Sequence, residues 1–148
     1  MSLKDILTTA MKEAMKAKDT VRLSTVRMTL AAIKNKEIAA GGELDDAAVT
    51  AILSTLVKQR REAAEAFRAG DRPELAEKEE AELLILQSFL PEQLSEEDVR
   101  ALVDAVVTEL GATSMKDMGG VMKILTEKTR GQADGKLVSE LVKARLMA

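Results

Sequence analysis

Residues 1–18 read Met-Ser-Leu-Lys-Asp-Ile-Leu-Thr-Thr-Ala-Met-Lys-Glu-Ala-Met-Lys-Ala-Lys. The apolar side chains in this stretch recur every three or four residues, at positions 3, 6, 7, 10, 11, 14 and 15. That spacing matches the turn of an α-helix and places the apolar side chains on one face. Ser2 stands where its hydroxyl can cap the first turn, and Asp5 follows three residues later. The stretch therefore predicts an amphipathic helix that ends near Lys18.

The same periodicity predicts three more helices before residue 92. Acidic or hydroxyl side chains at residues 19–20 and 45–46 can cap the second and third helices. Gly70 is expected to end the third helix, and Pro73 suits the first position of the fourth. Pro91 breaks the fourth helix after Leu90, because a proline pushes the preceding residue out of the α region.

Three shorter helices follow this break, with predicted caps at Ser95, Ser114 and Asp134. No window shows the apolar–polar alternation that is typical of a strand. The predicted fold class is all-α and multihelical, in two parts. These are a four-helix amino-terminal domain of residues 1–92 and a small three-helix carboxy-terminal domain of residues 93–148.

The composition excludes several kinds of site. The chain contains no cysteine and no histidine, so it has neither disulfides nor the commonest general base and metal ligand. We therefore expect no catalytic residue, no metal and no cofactor. No apolar run is long enough to span a membrane, and the first residues do not resemble a signal peptide. These features predict a cytoplasmic protein that does not bind membranes.

Charge is unevenly distributed along the chain, although the net charge is only −3. Residues 1–36 carry a net charge of +5, residues 74–98 of −8 and residues 114–148 of +3. Basic segments can attract a polyanion, but solvated helix faces would give the same pattern. Arg60 lies on the apolar face of the third helix. It is either a snorkelling side chain or half of a buried ion pair. Glu79 or Glu82 is expected to pair with Arg60 or Arg61 across an antiparallel hairpin.

Two glycines lie inside the predicted sixth helix, Gly119 and Gly120. A glycine in a helix costs about 1 kcal/mol relative to alanine, so a compensating role is expected. Either another helix packs closely against them, or they admit a different backbone, such as a sugar–phosphate chain. At the start of the seventh helix, Gly135 and Lys136 could receive a phosphate, although the Asp134 carboxylate would compete for the same amide hydrogens.

These residues resemble a known family. The pattern Lys116-Asp117-Met118-Gly119, Val121-Met122-Lys123, Gly131 and Ala133-Asp134-Gly135-Lys136-Leu137-Val138 is similar to the GatB/YqeY domain, and the stretch Phe89–Leu94 also fits the free-standing YqeY-like proteins. The domain forms the tail of the B subunit of the glutamine-dependent aspartyl/glutamyl-tRNA amidotransferase. It is also appended to some glutaminyl-tRNA synthetases, and in both settings it helps to hold tRNA.

The resemblance implies a two-part all-α protein that binds tRNA. The family often has a basic residue where Gly120 stands and arginine where Gln132 stands, so this chain carries less positive charge there. The implied nucleic-acid-binding residues are Lys116, Gly119, Gly120, Lys123, Lys128, Arg130, Gly135, Lys136 and Lys143.

Three functions are compatible with these observations. The first is a YqeY-like accessory protein that binds tRNA and acts with an amidotransferase or an aminoacyl-tRNA synthetase in translation. The second, which the family name suggests, is a carbon–nitrogen ligase that uses glutamine as amide donor. However, the chain lacks the cysteine or histidine that such an activated nucleophile commonly uses. The third is a protein-interaction adaptor for a tRNA enzyme.

Overall fold

The computed structural model describes the whole chain, Met1–Ala148, and its regular secondary structure is all helical. The helices are α1 (Leu3–Ala17), α2 (Thr20–Ala40), α3 (Asp46–Ala69), α4 (Pro73–Gln87), α5 (Glu96–Leu110), α6 (Met118–Lys128) and α7 (Gly135–Met147), with a 3₁₀ turn at Met115–Asp117 before α6. The all-α prediction is confirmed. No helix is long and apolar enough to cross a membrane. The chain divides into two compact units, Met1–Pro91 and Glu92–Ala148.

The helices begin where capping side chains stand in the sequence. The Ser2 hydroxyl accepts the Asp5 amide hydrogen at 3.1 Å, and the Asp5 carboxylate accepts the Ser2 amide hydrogen in return. Ser95 and Asp98 form the same reciprocal pair at the start of α5. These bonds satisfy amide groups that have no partner inside the helix.

The amino-terminal unit packs α1 to α4 around one apolar core. Its fully or nearly fully buried side chains are Leu7, Val26, Ile33, Val49, Leu53, Val57 and Leu86. Only Lys18 and Asp19 separate α1 from α2, and only residues 70–72 separate α3 from α4. These short connections fold the four helices into two hairpins.

Arg60 forms the ion pair that the sequence predicted as one alternative. Its Nε lies 2.9 Å from Oε2 of Glu82 and 3.5 Å from Oε2 of Glu79, and the three side chains are largely buried. Its Nη2 also donates to the sulfur of Met28 at 2.8 Å. The guanidinium therefore connects α2, α3 and α4.

The carboxy-terminal unit has a core of its own. In this unit α5, α6 and α7 each pack against the other two. Their buried side chains are Val99, Val103, Val106, Val107, Val121, Leu125, Val138, Val142 and Leu146. The segment before α5 is held to the turn between α6 and α7. The Leu94 amide donates to the Gln132 carbonyl at 2.8 Å, and the Gln93 side chain donates to the Gly131 carbonyl at 2.7 Å.

One predicted helix end differs from the structure, and a second has an unexpected backbone conformation. Helix α4 ends at Gln87, three residues before the predicted end. The amides of Phe89 and Leu90 donate to the carbonyl three residues back, as in a 3₁₀ turn. The α-helix ends here because Pro91 disfavours the α conformation at Leu90. Helix α3 ends near Gly70 as predicted. However, Gly70 has an ordinary φ of −88°, and the left-handed residue is Asp71, with φ of 58°.

Candidate nucleic-acid interface

The first predicted element of the interface begins with a 3₁₀ turn rather than with an α-helix. The sequence predicted that Ser114 would cap the sixth helix directly, but residues 115–117 form the tighter turn and α6 starts at Met118. The Asp117 carboxylate accepts the amide hydrogens of Thr113 and Ser114 at 2.9 and 3.3 Å. It therefore stabilises the entry to the helix, and Lys116 lies exposed on the turn.

Gly119 and Gly120 lie exposed in the first turn of α6. A Cβ atom added to either glycine would meet no atom within 4 Å. The predicted alternative of close helix packing is therefore wrong for these two glycines. Their effect is to leave a stretch of helix backbone uncovered by side chains and open to solvent.

Lys123 stands beside this uncovered backbone. It lies three and four residues after the glycines, on the face of α6 opposite the buried Val121 and Leu125. Side chains on a helix lean towards its amino terminus, so Lys123 extends over the turn that holds Gly119 and Gly120. The arrangement places a cation next to exposed backbone.

The start of α7 is less open to an anion than the sequence suggested. Oδ1 of Asp134 accepts the amide hydrogen of Lys136 at 3.2 Å, so the competing carboxylate occupies this helix end. Gly135 and Lys136 are both exposed. The side chain of Lys136 remains available to a phosphate, whereas its backbone amide does not.

Lys136 and Lys143 share the outward face of α7. They lie seven residues apart, which is two helical turns, and both are exposed. Val138 and Val142 occupy the opposite, buried face. The two lysines thus form a short row of cations along the helix.

The structure divides the predicted residues between two ends of the carboxy-terminal unit. Helix α7 packs against α6 and also against the 3₁₀ turn, so the two helices run antiparallel. Lys116, the glycines of α6 and Lys143 therefore lie towards one end. The other end, about 16 Å away along the 11 residues of α6, carries Lys128, Arg130, Gly135 and Lys136.

Because each helix packs on the other two, the outward faces of α6 and α7 point in different directions. The residues form an extended surface rather than a pocket.

Six of these residues are cations, and we call the part of the unit that carries them the basic surface: Lys116, Lys123, Lys128, Arg130, Lys136 and Lys143. None of their side chains forms an ion pair. The ion pairs of this unit instead join Arg145 to Asp104 at 3.0 Å and Arg100 to Glu96 at 3.2 Å. The ion pairs of this unit therefore use arginines that are not part of the basic surface.

Three shifted pKa values in the amino-terminal unit have structural causes. A hydrogen bond from Lys4 and another from the Leu44 amide lower the pKa of Glu37, and the same ion pair raises the pKa of Lys4. Hydrogen bonds from Ser2 lower the pKa of Asp5 in the α1 cap. These shifts stabilise the fold and do not mark a reactive group. No group of three or more acidic side chains is placed to hold a metal ion.

Sequence reasoning missed Arg100 and Arg145 as members of a site. They line a cleft between α5 and α7 together with Asp104. Arg145 was counted only in the charge balance, because the pattern along the chain does not show which residues of two different helices meet.

Comparison with known proteins gives a consistent family relationship. The sequence model described as Yqey-like protein matches residues 4–146. A protein of Lachancea thermotolerans named altered inheritance of mitochondria protein 41, mitochondrial, is 41% identical over 103 residues, which is 68% of this chain and 55% of the relative. Proteins of the same name from Eremothecium gossypii and Saccharomyces cerevisiae are 40% and 35% identical, over 70% and 68% of this chain. The chain spans little more than half the length of these relatives, 55–58%.

The names of these relatives contradict the predicted cytoplasmic location, because they are mitochondrial proteins. The cytoplasmic prediction is therefore wrong. Its physical basis was weak, since the composition and helix pattern of a small all-α protein do not differ between the two compartments.

Proposed function

Because the chain belongs to the YqeY-like family, we propose that it is an accessory protein that holds tRNA through its carboxy-terminal unit. The enzyme it assists is one that amidates or charges tRNA. The observation that carries this proposal is the basic surface, which places six exposed cations on a unit of 57 residues.

The chemistry of this surface suits a folded RNA rather than an extended single strand. Lysine binds phosphate as a point charge, and phosphate contacts position a nucleic acid without reading its sequence. The carboxy-terminal unit contains no aromatic residue to stack a row of bases, since both phenylalanines precede residue 90. The basic surface is also extended, as contact with a folded RNA backbone requires.

The glycines of α6 support the same proposal. Exposed glycines weaken a helix, yet no helix packs against Gly119 or Gly120. Close approach of a sugar–phosphate backbone explains both the missing side chains and the neighbouring Lys123.

The first test is titration of the protein with total tRNA in an electrophoretic shift assay. Contacts to four to six phosphates would lower the affinity by a factor on the order of 10² to 10³ between about 50 and 200 mM salt. Replacing Lys123 and Lys136 together by alanine should weaken binding and reduce the slope of log affinity against log salt by nearly two. Absence of tRNA binding at low salt would overturn the proposal.

Lys78→Ala provides the matched control. It also removes exposed lysine charge, but from α4, where the surrounding side chains are acidic. We expect tRNA affinity and salt slope close to those of the wild type. Because the control removes one charge and the double variant two, a loss in the control half as large on a logarithmic scale would show that net charge, not the basic surface, determines binding.

A further inference from the structure

We propose that the cleft between α5 and α7 receives one unpaired nucleobase of the bound RNA, an inference that rests on the tRNA-binding function proposed above. The cleft has a volume of about 300 Å³. This is the lower end of the range for small-ligand sites, about 300–1,000 Å³. It therefore suits a single nucleotide and not a double helix. It is lined by Arg100, Val103, Asp104, Leu141, Ala144 and Arg145.

The lining combines an apolar floor with two planar cations. Val103, Leu141 and Ala144 supply apolar surface, and each helix contributes one guanidinium, from Arg100 or Arg145. The faces of unpaired bases stack on aromatic rings or on guanidinium planes. Because this unit has no aromatic residue, its arginines are the side chains able to stack a base.

The pair of Arg145 and Asp104 adds hydrogen-bonding groups at the edge of the cleft. Nε of Arg145 donates to Oδ1 of Asp104 at 3.0 Å. This bond uses Nε of the arginine and one oxygen of the aspartate, so the Nη groups and the second carboxylate oxygen are further donors and an acceptor at the same place. A donor and an acceptor thus lie side by side, which is the arrangement needed to bond the Watson–Crick edge of an exposed base. Both side chains are partly exposed, at 44% and 63%, so a ligand can reach them.

The cleft adjoins the basic surface. Lys143 lies on the outward face of α7 and directly precedes Ala144, which lines the cleft. A strand whose phosphates contact Lys136 and Lys143 would pass along the rim of the cleft. An unpaired base could then turn inward over Ala144.

The test compares two RNA probes, a blunt hairpin and the same hairpin with a short single-stranded adenosine overhang. Wild-type protein should bind the overhang hairpin more tightly by about fivefold or more, the lower range for stacking of one base. In Arg145→Lys and Arg100→Lys the charge stays but the planar group is lost, so the ratio of the two affinities should fall towards one. Lys143→Ala is the control, and it should weaken both complexes by the same factor.

The outcomes separate this inference from the proposed function. If wild-type protein binds the two hairpins equally, the cleft holds no base, while phosphate binding by the basic surface stands. The inference also fails if the preference for the overhang survives both arginine-to-lysine variants. Failure of both hairpins and of total tRNA to bind at low salt would overturn the proposed function together with this inference.

Discussion

At the scale of single residues, two glycines make the first turn of α6 less stable and leave its backbone open to solvent. Gly119 and Gly120 each lack a side chain in a turn where nothing else approaches, and Lys123 lies one turn later. The sequence identified these glycines as unusual because they interrupt an otherwise regular amphipathic pattern. It could not show whether another helix covers them, since that depends on how the three helices of the unit pack.

Gly120→Ala is predicted to change stability and RNA binding in opposite directions. The added methyl group meets no atom within 4 Å, and alanine favours the helix, so the free energy of unfolding should rise by about 0.5–1 kcal/mol. The same methyl group would stand between the helix backbone and an RNA phosphate, so tRNA affinity should fall. Urea unfolding and tRNA titration measure the two effects.

The control for this variant is Gly42→Ala. Gly42 also has no atom near the position of an added Cβ, but it lies in the connection between α2 and α3, outside the basic surface. We expect unchanged tRNA affinity in this control. If Gly120→Ala likewise left tRNA affinity unchanged, the exposed glycines would have no role in RNA contact.

At the scale of helices, the boundaries followed from local chemistry wherever a capping side chain fixes them. Ser2, Asp45 and Ser95 each accept an amide hydrogen from the first turn of the helix that the sequence placed after them. The other helix ends depend on which of two similar backbone conformations a residue adopts. Residues Met115–Asp117 form a 3₁₀ turn, although their residue types would equally suit the first turn of an α-helix. The sequence also does not show whether Gly70 or Asp71 adopts the left-handed conformation.

Asp71→Gly is predicted to stabilise the amino-terminal unit. Asp71 adopts φ of 58°, a conformation that is unfavourable for a residue with a Cβ atom and favourable for glycine. The melting temperature should rise by an amount that corresponds to about 0.5–1 kcal/mol. The matched variant is Gly111→Ala, where a glycine already occupies the left-handed cap of α5 at φ of 63°. This substitution should lower the melting temperature by a similar energy, and stabilisation by it would contradict the conformational explanation.

At the scale of the whole molecule, the two units each have a separate apolar core, and an ionic contact at Glu37 joins three segments of the amino-terminal unit. Glu37 on α2 accepts hydrogen bonds from the Lys4 ammonium at 2.9 and 3.0 Å and from the Leu44 amide at 3.0 Å. It thereby fixes α1 and the segment before α3 to the end of α2.

The contribution of Glu37 to stability should depend on pH. Its pKa is lowered from the ordinary value of 4.5, so its contribution is present above that value and is lost as the pH falls through the lowered pKa. Glu37→Gln should therefore be less stable than the wild type at neutral pH, and the difference should shrink in acid. Urea midpoints across this range measure the effect. Glu13→Gln, at an exposed position of α1, should show no such convergence.

Sequence and structure thus contributed differently to the candidate site. The charge pattern and the glycines were visible in the sequence, because they are properties of short segments. The separation of the cations between two ends of the unit was not visible, since it arises from the packing of α6 and α7. The cleft at Arg100 and Arg145 was not visible either, since it arises from the packing of α5 and α7. The same holds for Asp104, which gained significance only as the partner of Arg145.

The hydrogen bonds between residues 92–94 and the turn after α6 determine where this unit can be joined to another protein chain. The Gln132 carbonyl accepts the Leu94 amide hydrogen, and the Gln132 side-chain amide donates to the Glu92 carbonyl. The peptide before α5 is therefore part of the folded unit. A gene fusion that joined a foreign chain at Ser95 would sever these bonds. A junction at or before Glu92 would preserve them. The portable module therefore begins several residues ahead of its first helix.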